Sequence, residues 1–159
     1  FWEKHGVVCT SVEHNPKWFT SVKWYLKLGG TTDYRLIIPE PCTGEVPADA
    51  SDPTRCVSGD PSFKGYTFEK YVRQIDSFPD GSFDIVLIDG RARPSCIMHS
   101  VSKVKEGGLL VLDNADREEY TRKPGHLLHG WEHIQYSGVC PTISFMTRTD
   151  IYKRPNSVP

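Results

Sequence analysis

The segment FDIVLIDG (83–90) constrains the fold of this chain more than any other part of the sequence. Apart from one aspartate, its first six residues are apolar, and the turn formers PDGS (79–82) precede it. A short apolar run bounded by turn residues is typical of a buried β-strand. The sequence therefore predicts a buried strand at 83–90.

Predicted helices and strands alternate on both sides of this strand. Asn15 and Pro16 are a helix-start signature, since asparagine caps a helix and proline suits its first turn. Strands that alternate with helices across short turns are typical of parallel βαβ units, so we predict an α/β fold. The predicted order is strand 6–13, a helix from 16 to the glycine pair 29–30, strand 34–38, helix 66–78, strand 83–90, helix 94–105 and strand 109–113.

The last third of the chain follows a different pattern. Residues 115–128 are polar and predicted to be helical, whereas 131–136 and 143–152 alternate in places like antiparallel strands. We expect these two strands to form a C-terminal hairpin that closes one edge of the sheet. Residues 39–65 hold five prolines and no periodicity, which predicts a long loop over the substrate side. We predict one domain, 1–159.

Composition excludes several classes of protein. Nineteen Lys and Arg residues against twenty Asp and Glu residues leave a net charge of −1, which argues against binding bulk nucleic acid. No apolar run has the 18 or more residues of a membrane span. Five cysteines without a CxxC pair argue against a zinc ribbon and a disulfide-dense secreted scaffold, and favour an intracellular location.

Three predicted strands end in acidic residues, namely Glu13, Asp89, and Asp113 with Asn114 after it. In open α/β sheets, ligands bind outside the carboxyl ends of the parallel strands. An acid that ends the second strand of a nucleotide-binding unit accepts hydrogen bonds from both ribose hydroxyls. Glu13 has this position, although a solvated acid near a helix N-terminus would give the same pattern.

Three segments together resemble class I S-adenosylmethionine-dependent methyltransferases: SVEHNP (11–16), FDIVLIDGRARPSC (83–96) and GGLLVLDNADREEY (107–120). The resemblance implies a Rossmann-like, mostly parallel sheet with helices on both faces. It also implies that Glu13 and the adjacent His14 bind S-adenosylmethionine at its ribose, and that Asp89 lies beside the reacting methyl group as a cofactor-binding and catalytic residue. The implied reaction is methyl transfer to a small molecule, on oxygen.

The chain departs from this family in one respect. The family's first strand and the glycine-rich cofactor loop that follows it have no counterpart here, and residues 1–5 resemble the end of the first helix. We expect that residues upstream are missing, that a partner chain completes the sheet, or that the sheet is rearranged. The alternative function is that of a non-catalytic methyltransferase-like subunit or scaffold in a larger assembly.

The resemblance also suggests a metal site. A subset of the family, of the catechol and caffeoyl-coenzyme A type, binds a divalent cation through residues that match Asp89, Asp113 and Asn114. Oxygen ligands suit Mg²⁺, which would orient substrate oxygens and lower the pKa of a hydroxyl. That type carries a lysine three residues after the first Asp, where this chain has Ala92. The alternative is that Asp113 and Asn114 cap the next segment and Asp89 accepts backbone hydrogen bonds.

Three arginines, Arg91, Arg93 and Arg117, are candidate substrate-binding residues. A guanidinium group suits bidentate recognition of a carboxylate or phosphate, so these residues can pair with an acidic group of the substrate. For Arg91 and Arg93, structural ion pairs with Asp116, Glu118 or Glu119 are an equal alternative.

Overall fold

A computed structural model of the chain describes residues 6–26, 32–45, 47, 49–140 and 145–157. The strands in this part are β1 (Cys9–Glu13), β2 (Thr32–Leu36), β3 (Glu40–Pro41), β4 (Tyr66–Thr67), β5 (Phe83–Ile88), β6 (Val104–Leu112), β7 (Glu132–Val139) and β8 (Met146–Lys153). The α-helices are α1 (Pro16–Leu26), α2 (Glu69–Val72) and α3 (Arg93–Ser100), and 3₁₀ turns cover Pro61–Phe63, Arg73–Ser77, Glu118–Tyr120 and Pro124–Leu128. The predicted glycine stop at 29–30 and the predicted helix end at 1–5 lie outside the described residues.

The strands form one four-stranded sheet and two pairs. The order of the larger sheet is β5-β6-β8-β7, with β5 and β6 parallel and the other two pairings antiparallel. Strands β1 and β2 form a separate parallel pair, and the short strands β3 and β4 pair antiparallel. Ile88 lies opposite Leu112 in the parallel register, so the residues that follow β5 and β6 emerge side by side.

The main hydrophobic core lies between α3 and the β5–β6 part of the sheet. Ile97 of α3 and Val104, Leu110 and Leu112 of β6 are completely buried. Burying an aliphatic side chain of this size contributes about 1.5–3 kcal/mol each. A second cluster of buried residues, Cys56, Phe68, Val72 and Ala92, attaches the loop before β4 to the start of α3.

The predicted helix 94–105 is too long at its C-terminus. Helix α3 ends at Ser100, and the chain then turns so that Val104 pairs with Phe83 and begins β6. The apolar residues Val101 and Val104 fit a helical period, but strand pairing buries Val104 completely. The register between β5 and β6 shifts after Phe83, and this irregularity accommodates the glycine pair 107–108 inside the strand.

Two further boundaries differ from prediction. The segment 115–128, predicted to be helical, contains the 3₁₀ turns Glu118–Tyr120 and Pro124–Leu128 and no α-helix. At its start the buried Ala115 donates its N–H to the Arg148 carbonyl on β8, 2.7 Å away. Tyr66 and Thr67 pair with β3, so the helical segment predicted to begin at 66 starts at Glu69.

The C-terminal strands β7 and β8 pair antiparallel from Glu132–Lys153 to Val139–Met146. The predicted strand 143–152 begins in residues that are not described, 141–144. None of the helices in the described ranges has the length and apolar character needed to cross a membrane.

Candidate functional site

The carboxyl ends of β5 and β6 bring two acidic residues together. Asp89 follows Ile88, and Asp113 follows Leu112, its partner in the parallel register. The Asp113 N–H donates to the Ile88 carbonyl at 3.1 Å, which continues the ladder to the last residue of the strand. The two carboxyl groups lie close enough for each to shift the pKa of the other. Sequence-distant acids thus become neighbours because the strands are parallel and in register.

The two carboxyl groups differ in pKa. The pKa of Asp89 is raised because its carboxyl loses hydration at the strand end and because it shares a hydrogen bond and a negative field with Asp113. The pKa of Asp113 is lowered although partial burial acts in the opposite direction, since its carboxylate accepts hydrogen bonds from the Thr149 hydroxyl and the Asn114 N–H. Of the two carboxyl groups, Asp89 therefore has the higher pKa.

Arg93 lies against the same strand ends and is 5% exposed. Its Nη2 contacts the Asp89 carbonyl at 2.9 Å, Asp89 Oδ1 at 3.3 Å and Asn114 Oδ1 at 3.0 Å. Its Nη1 donates to the Asp113 carbonyl, and its Nε donates to the Gly90 carbonyl at 2.9 Å. The guanidinium group predicted to meet a substrate is thus engaged with the protein's own oxygens.

The three residues predicted to bind a divalent cation are not arranged for it. The Asn114 Oδ1 atom accepts from Arg93, and Asp113 Oδ1 accepts from the Thr149 hydroxyl at 2.8 Å. Over the described residues, no group of three or more His, Cys, Asp or Glu side chains is placed to hold a metal ion. The predicted Mg²⁺ site is therefore not supported, because a cationic side chain already lies among the proposed ligands.

Glu13 ends β1, as predicted, and its carboxylate faces the start of α1. Its Oε1 atom accepts from the N–H groups of His14 and Asn15, both at 2.7 Å. Asn15 caps the helix by accepting from Lys17 and Trp18. The negative charge of Glu13 also contributes to the raised pKa of Asp89, so the ends of β1 and β5 lie within electrostatic range.

The His14 side chain packs into an aromatic cluster. Its ring centroid lies 5.5 Å from Phe63, 5.7 Å from Phe68 and 6.1 Å from Tyr71, all edge to face. Burial lowers the pKa of His14, although the Glu13 carboxylate, 3.0 Å from Nδ1, acts in the opposite direction. His14 is therefore a partly buried neutral ring that supports the position of Glu13.

A cavity of about 470 Å³ opens beside these strand ends. The three candidate arginines, Arg91, Arg93 and Arg117, all line it. The other lining residues come from the loop before β4, the start of α3 and the 117–120 turn, and they are Ala50, Val57, Ser58, Gly59, Asp60, Pro61, Gly90, Ala92, Pro94, Glu119 and Tyr120. The predicted long loop therefore forms one wall of this cavity.

The arginines have different environments in the cavity. Arg91 is ion-paired with Asp60, 2.9 Å away, and its guanidinium group lies over the Phe63 ring. Arg117 is exposed and donates to the Tyr120 hydroxyl at 2.8 Å. Of the three, Arg117 is therefore the one whose charge is open to a ligand. The Tyr120 hydrogen bond and the charges of Asp116 and Glu119 raise the pKa of Arg117, whereas Arg91 and Arg93 pair with Asp60 and Asp89.

Three residues of this region escaped the sequence analysis: Asp60, Tyr71 and Thr149. Asp60 neutralises Arg91, Thr149 orients Asp113, and the Tyr71 hydroxyl lies against Gly90. Asp60 sits in an aperiodic loop and Thr149 in an alternating strand, so neither carries a local signal. For Tyr71 the sequence signal is indirect, since its contact residue Gly90 follows Asp89 at the end of a predicted strand.

Several solved structures with a similar fold are methyltransferases. The O-methyltransferase TomG from Streptomyces achromogenes, in complex with S-adenosylmethionine, superposes with a TM-score of 0.58 at 12% identity over 92% of this chain. The O-methyltransferase from Bacillus cereus, in complex with S-adenosylhomocysteine, gives 0.56 at 11% identity over 91%. The precorrin-6y C5,15-methyltransferase from Geobacter metallireducens gives 0.50 at 14% identity over 92%.

This chain spans 61%, 62% and 66% of the length of those three proteins, respectively. No protein-family model and no curated protein matches its sequence. The likeness therefore establishes the fold of class I S-adenosylmethionine-dependent methyltransferases. The predicted Rossmann-like α/β class with a sheet that includes parallel strands is confirmed.

Proposed function

We propose that this chain binds S-adenosylmethionine and transfers its methyl group to an oxygen of a small-molecule acceptor. The observation that carries the proposal is the placement of Glu13, Asp89 and Asp113 at the carboxyl ends of β1, β5 and β6, on a methyltransferase fold. The cavity beside these ends has the size and position of a ligand pocket.

Glu13 is the proposed ribose-binding residue, with His14 behind it. Backbone N–H groups hold Oε1, and in the part of the chain that is described the other oxygen, Oε2, accepts no hydrogen bond. A carboxylate fixed at one oxygen presents the second to the ribose hydroxyls with little loss of side-chain entropy. The second oxygen of Glu13 is a suitable acceptor for the ribose hydroxyls, so the residues present at this strand end fit the cofactor.

Asp89 is the proposed catalytic residue. Bound S-adenosylmethionine would supply a methyl group activated by its sulfonium charge. The Asp89 carboxylate would take the proton of the acceptor hydroxyl as that oxygen bonds to the methyl carbon and the C–S electron pair returns to sulfur. A raised pKa makes Asp89 a better proton acceptor than an ordinary aspartate.

On the substrate side, Arg117 is proposed to pair with an acidic group of the acceptor. Arg91 contributes less free charge because Asp60 neutralises it. Arg93 is proposed to position the strand ends and to make no substrate contact, since its donors are used within the protein.

The sheet is proposed to contain one more strand, between β1 and β5. In the described residues β1 pairs with β2 and β5 pairs with β6, which leaves the other edge of each open. Ile85 and Leu87 on β5 are 43% and 57% exposed. Open strand edges and exposed aliphatic side chains are costly, so a strand from elsewhere in the protein or from a partner chain would stabilise both.

Calorimetric titration with S-adenosylhomocysteine tests the proposal. We expect micromolar binding, weakened about tenfold to a hundredfold in Glu13→Gln, which keeps an oxygen acceptor for the backbone but loses the charge. The matched control is Glu132→Gln on the exposed strand β7, which should bind like the unchanged chain. A folded chain that does not bind, or equal affinities for the two variants, would contradict the proposed cofactor site.

A non-catalytic subunit is the second candidate function. The open edges of β1 and β5 favour it, because a partner chain can supply the additional strand. Native mass spectrometry separates the two candidates when it is combined with the titration. A folded chain that binds no S-adenosylhomocysteine would support the subunit role, whereas binding followed by methyl transfer to an added small alcohol or phenol would support the enzyme.

A further inference from the structure

We propose that the Arg93 guanidinium serves as a built-in cation at the strand ends, in the place where the sequence predicted a divalent metal ion. The inference concerns the charge at this position and does not rest on methyl transfer. It predicts that the unchanged chain does not bind a divalent cation at this position.

The geometry of Arg93 carries the inference. Its Nη2 atom has three oxygens within 3.3 Å: the Asp89 carbonyl, Asp89 Oδ1 and Asn114 Oδ1. Its Nη1 and Nε atoms donate to the carbonyls of Asp113 and Gly90. One guanidinium group thus bridges both strand ends and contacts oxygens of all three residues that were expected to ligate a metal.

The surroundings hold this cation in place. Arg93 is 5% exposed, and the Tyr120 ring lies 5.0 Å from its Cζ atom in a cation–π contact. Arginine stays charged under all ordinary conditions, so the positive charge is permanent. A buried permanent charge needs compensation, which the Asp89 carboxylate, 3.3 Å from Nη2, supplies together with the carbonyl of Asp113.

A divalent ion would compete with this arrangement. Mg²⁺ or Ca²⁺ would need the Asn114 and Asp89 oxygens at about 2.0–2.6 Å, where they now accept from Arg93. It would also lie within a few ångströms of a like charge in a poorly hydrated setting, where repulsion is strong. The arginine therefore excludes the ion by occupying its ligands and by repelling it.

The test is Mn²⁺ binding, measured by electron paramagnetic resonance and by thermal unfolding with and without the ion. We expect no saturable binding by the unchanged chain. Removal of the cation in Arg93→Ala should leave two carboxylates and an amide with free oxygens, so Mn²⁺ should bind at least about tenfold more tightly and raise the melting temperature.

The matched control is Arg154→Ala. Arg154 also donates to several backbone carbonyls, those of Val101, Ser102 and Val104, but its guanidinium group pairs with no carboxylate among the residues that the structure describes. We expect this variant to be destabilised without gaining affinity for Mn²⁺. A gain that appears equally in both variants would overturn the proposal, because it would reflect loosened structure.

A second variant, Arg93→Gln, covers the case in which Arg93→Ala does not fold, since glutamine keeps a side-chain N–H donor while losing the charge. We expect Arg93→Gln to gain Mn²⁺ binding, and methylguanidinium to stabilise Arg93→Ala. Saturable Mn²⁺ binding by the unchanged chain that is lost in Asn114→Ala would overturn the inference. Failure of both Arg93 variants to respond to Mn²⁺ would do the same.

Discussion

The Cα atom of Gly90 lies against the side chain of Tyr71, so that a β-carbon at position 90 would collide with the Tyr71 hydroxyl and approach Cζ to 3.2 Å. Gly90 is the residue between Asp89 and Arg91, and it lines the cavity. Glycine is required here because the Tyr71 side chain lies so close to its Cα atom. Backbone conformation is not the reason, because the φ angle of Gly90 is outside the left-handed region. The contact fixes the distance between α2 and the end of β5.

We predict that Gly90→Ala destabilises the protein by about 1–3 kcal/mol, because the buried Tyr71 ring has to shift. The loss should be smaller when Tyr71→Phe is introduced as well, since that change removes the atom nearest to the new methyl group. Urea unfolding of the two single variants and the double variant measures this coupling.

Gly59→Ala is the matched control for this prediction. A β-carbon at Gly59 would meet the Ala50 Cβ at 3.6 Å, an ordinary contact distance. We expect its stability to change by less than about 0.5 kcal/mol. Equal losses at positions 59 and 90, or additive effects of Gly90→Ala and Tyr71→Phe, would show that the contact with Tyr71 is unimportant.

Thr149→Val should lower the free energy of unfolding by about 1.5–3 kcal/mol at pH 7. The substitution removes the hydrogen bond, 2.8 Å long, from the Thr149 hydroxyl to the charged Asp113 carboxylate. Thr149→Ser keeps the donor and should retain most of the stability. The pKa of Asp113 in the folded protein lies below its ordinary value of 3.8, so its ionised form stabilises the fold above that pH. The difference between Thr149→Val and the unchanged chain should therefore shrink as the pH falls through the lowered pKa. A difference that is constant down to pH 2 would argue against this role.

His14 should make folding stability depend on pH below about 6.5. Burial lowers its pKa in the folded protein. As the pH drops, the unfolded chain therefore binds a proton before the folded protein does, and the unfolded state is stabilised relative to the folded state. The stabilisation is fully present above the ordinary value of 6.5 and is lost as the pH falls to the lowered pKa. The slope contributed by one histidine is at most about 1.4 kcal/mol per pH unit.

His14→Phe is the variant that isolates this effect, because phenylalanine keeps a ring beside Phe63, Phe68 and Tyr71 but does not titrate. Chemical unfolding between pH 7.5 and 5 should show the unchanged chain losing stability relative to His14→Phe. Parallel pH profiles for the two proteins would contradict the assignment.

Ser95→Ala should loosen the loop that forms one wall of the cavity. The Ser95 hydroxyl accepts from the Cys56 N–H at 3.1 Å, and Ser95 is 1% exposed. Loss of the acceptor leaves a buried N–H unpaired, which costs about 1–3 kcal/mol. Hydrogen exchange at the Cys56 amide should accelerate, whereas the exposed Ser62→Ala should leave that amide protected. Unchanged exchange at Cys56 in Ser95→Ala would remove the basis for this anchoring role.

Several features of the fold were predictable because their signals are local. The apolar run at 83–88 predicted β5, and the Asn15–Pro16 cap predicted the start of α1. The order of strands and helices then predicted that Glu13, Asp89 and Asp113 lie at carboxyl ends of strands. In the structure Glu13 ends β1 of the separate β1–β2 pair, and Asp89 and Asp113 follow β5 and β6 of the larger sheet. The sequence thereby identified the region of the candidate site.

The boundaries of helices and strands were harder to predict where the same apolar pattern fits both a helix and a strand. Val101 and Val104 fit a continued α3, yet Val104 belongs to β6 because pairing with β5 buries it. The 115–128 segment forms two 3₁₀ turns where its polar pattern predicted a helix. The end of α3 depends on long-range backbone bonds between β5 and β6, and the hydrophobic periodicity of one sequence carries no information about such bonds.

The sequence by itself determined the α/β class, the order of elements and the acids at the strand ends, because each depends on neighbouring residues and on the direction of parallel strands. Only the tertiary structure decided what Arg93 does. Its nearest acid, Asp89, is four positions away, but its contacts with Asp113 and Asn114 span 20 and 21 positions and exist because β5 and β6 pair in one register. A guanidinium group therefore stands where the sequence pattern alone suggested a metal ion.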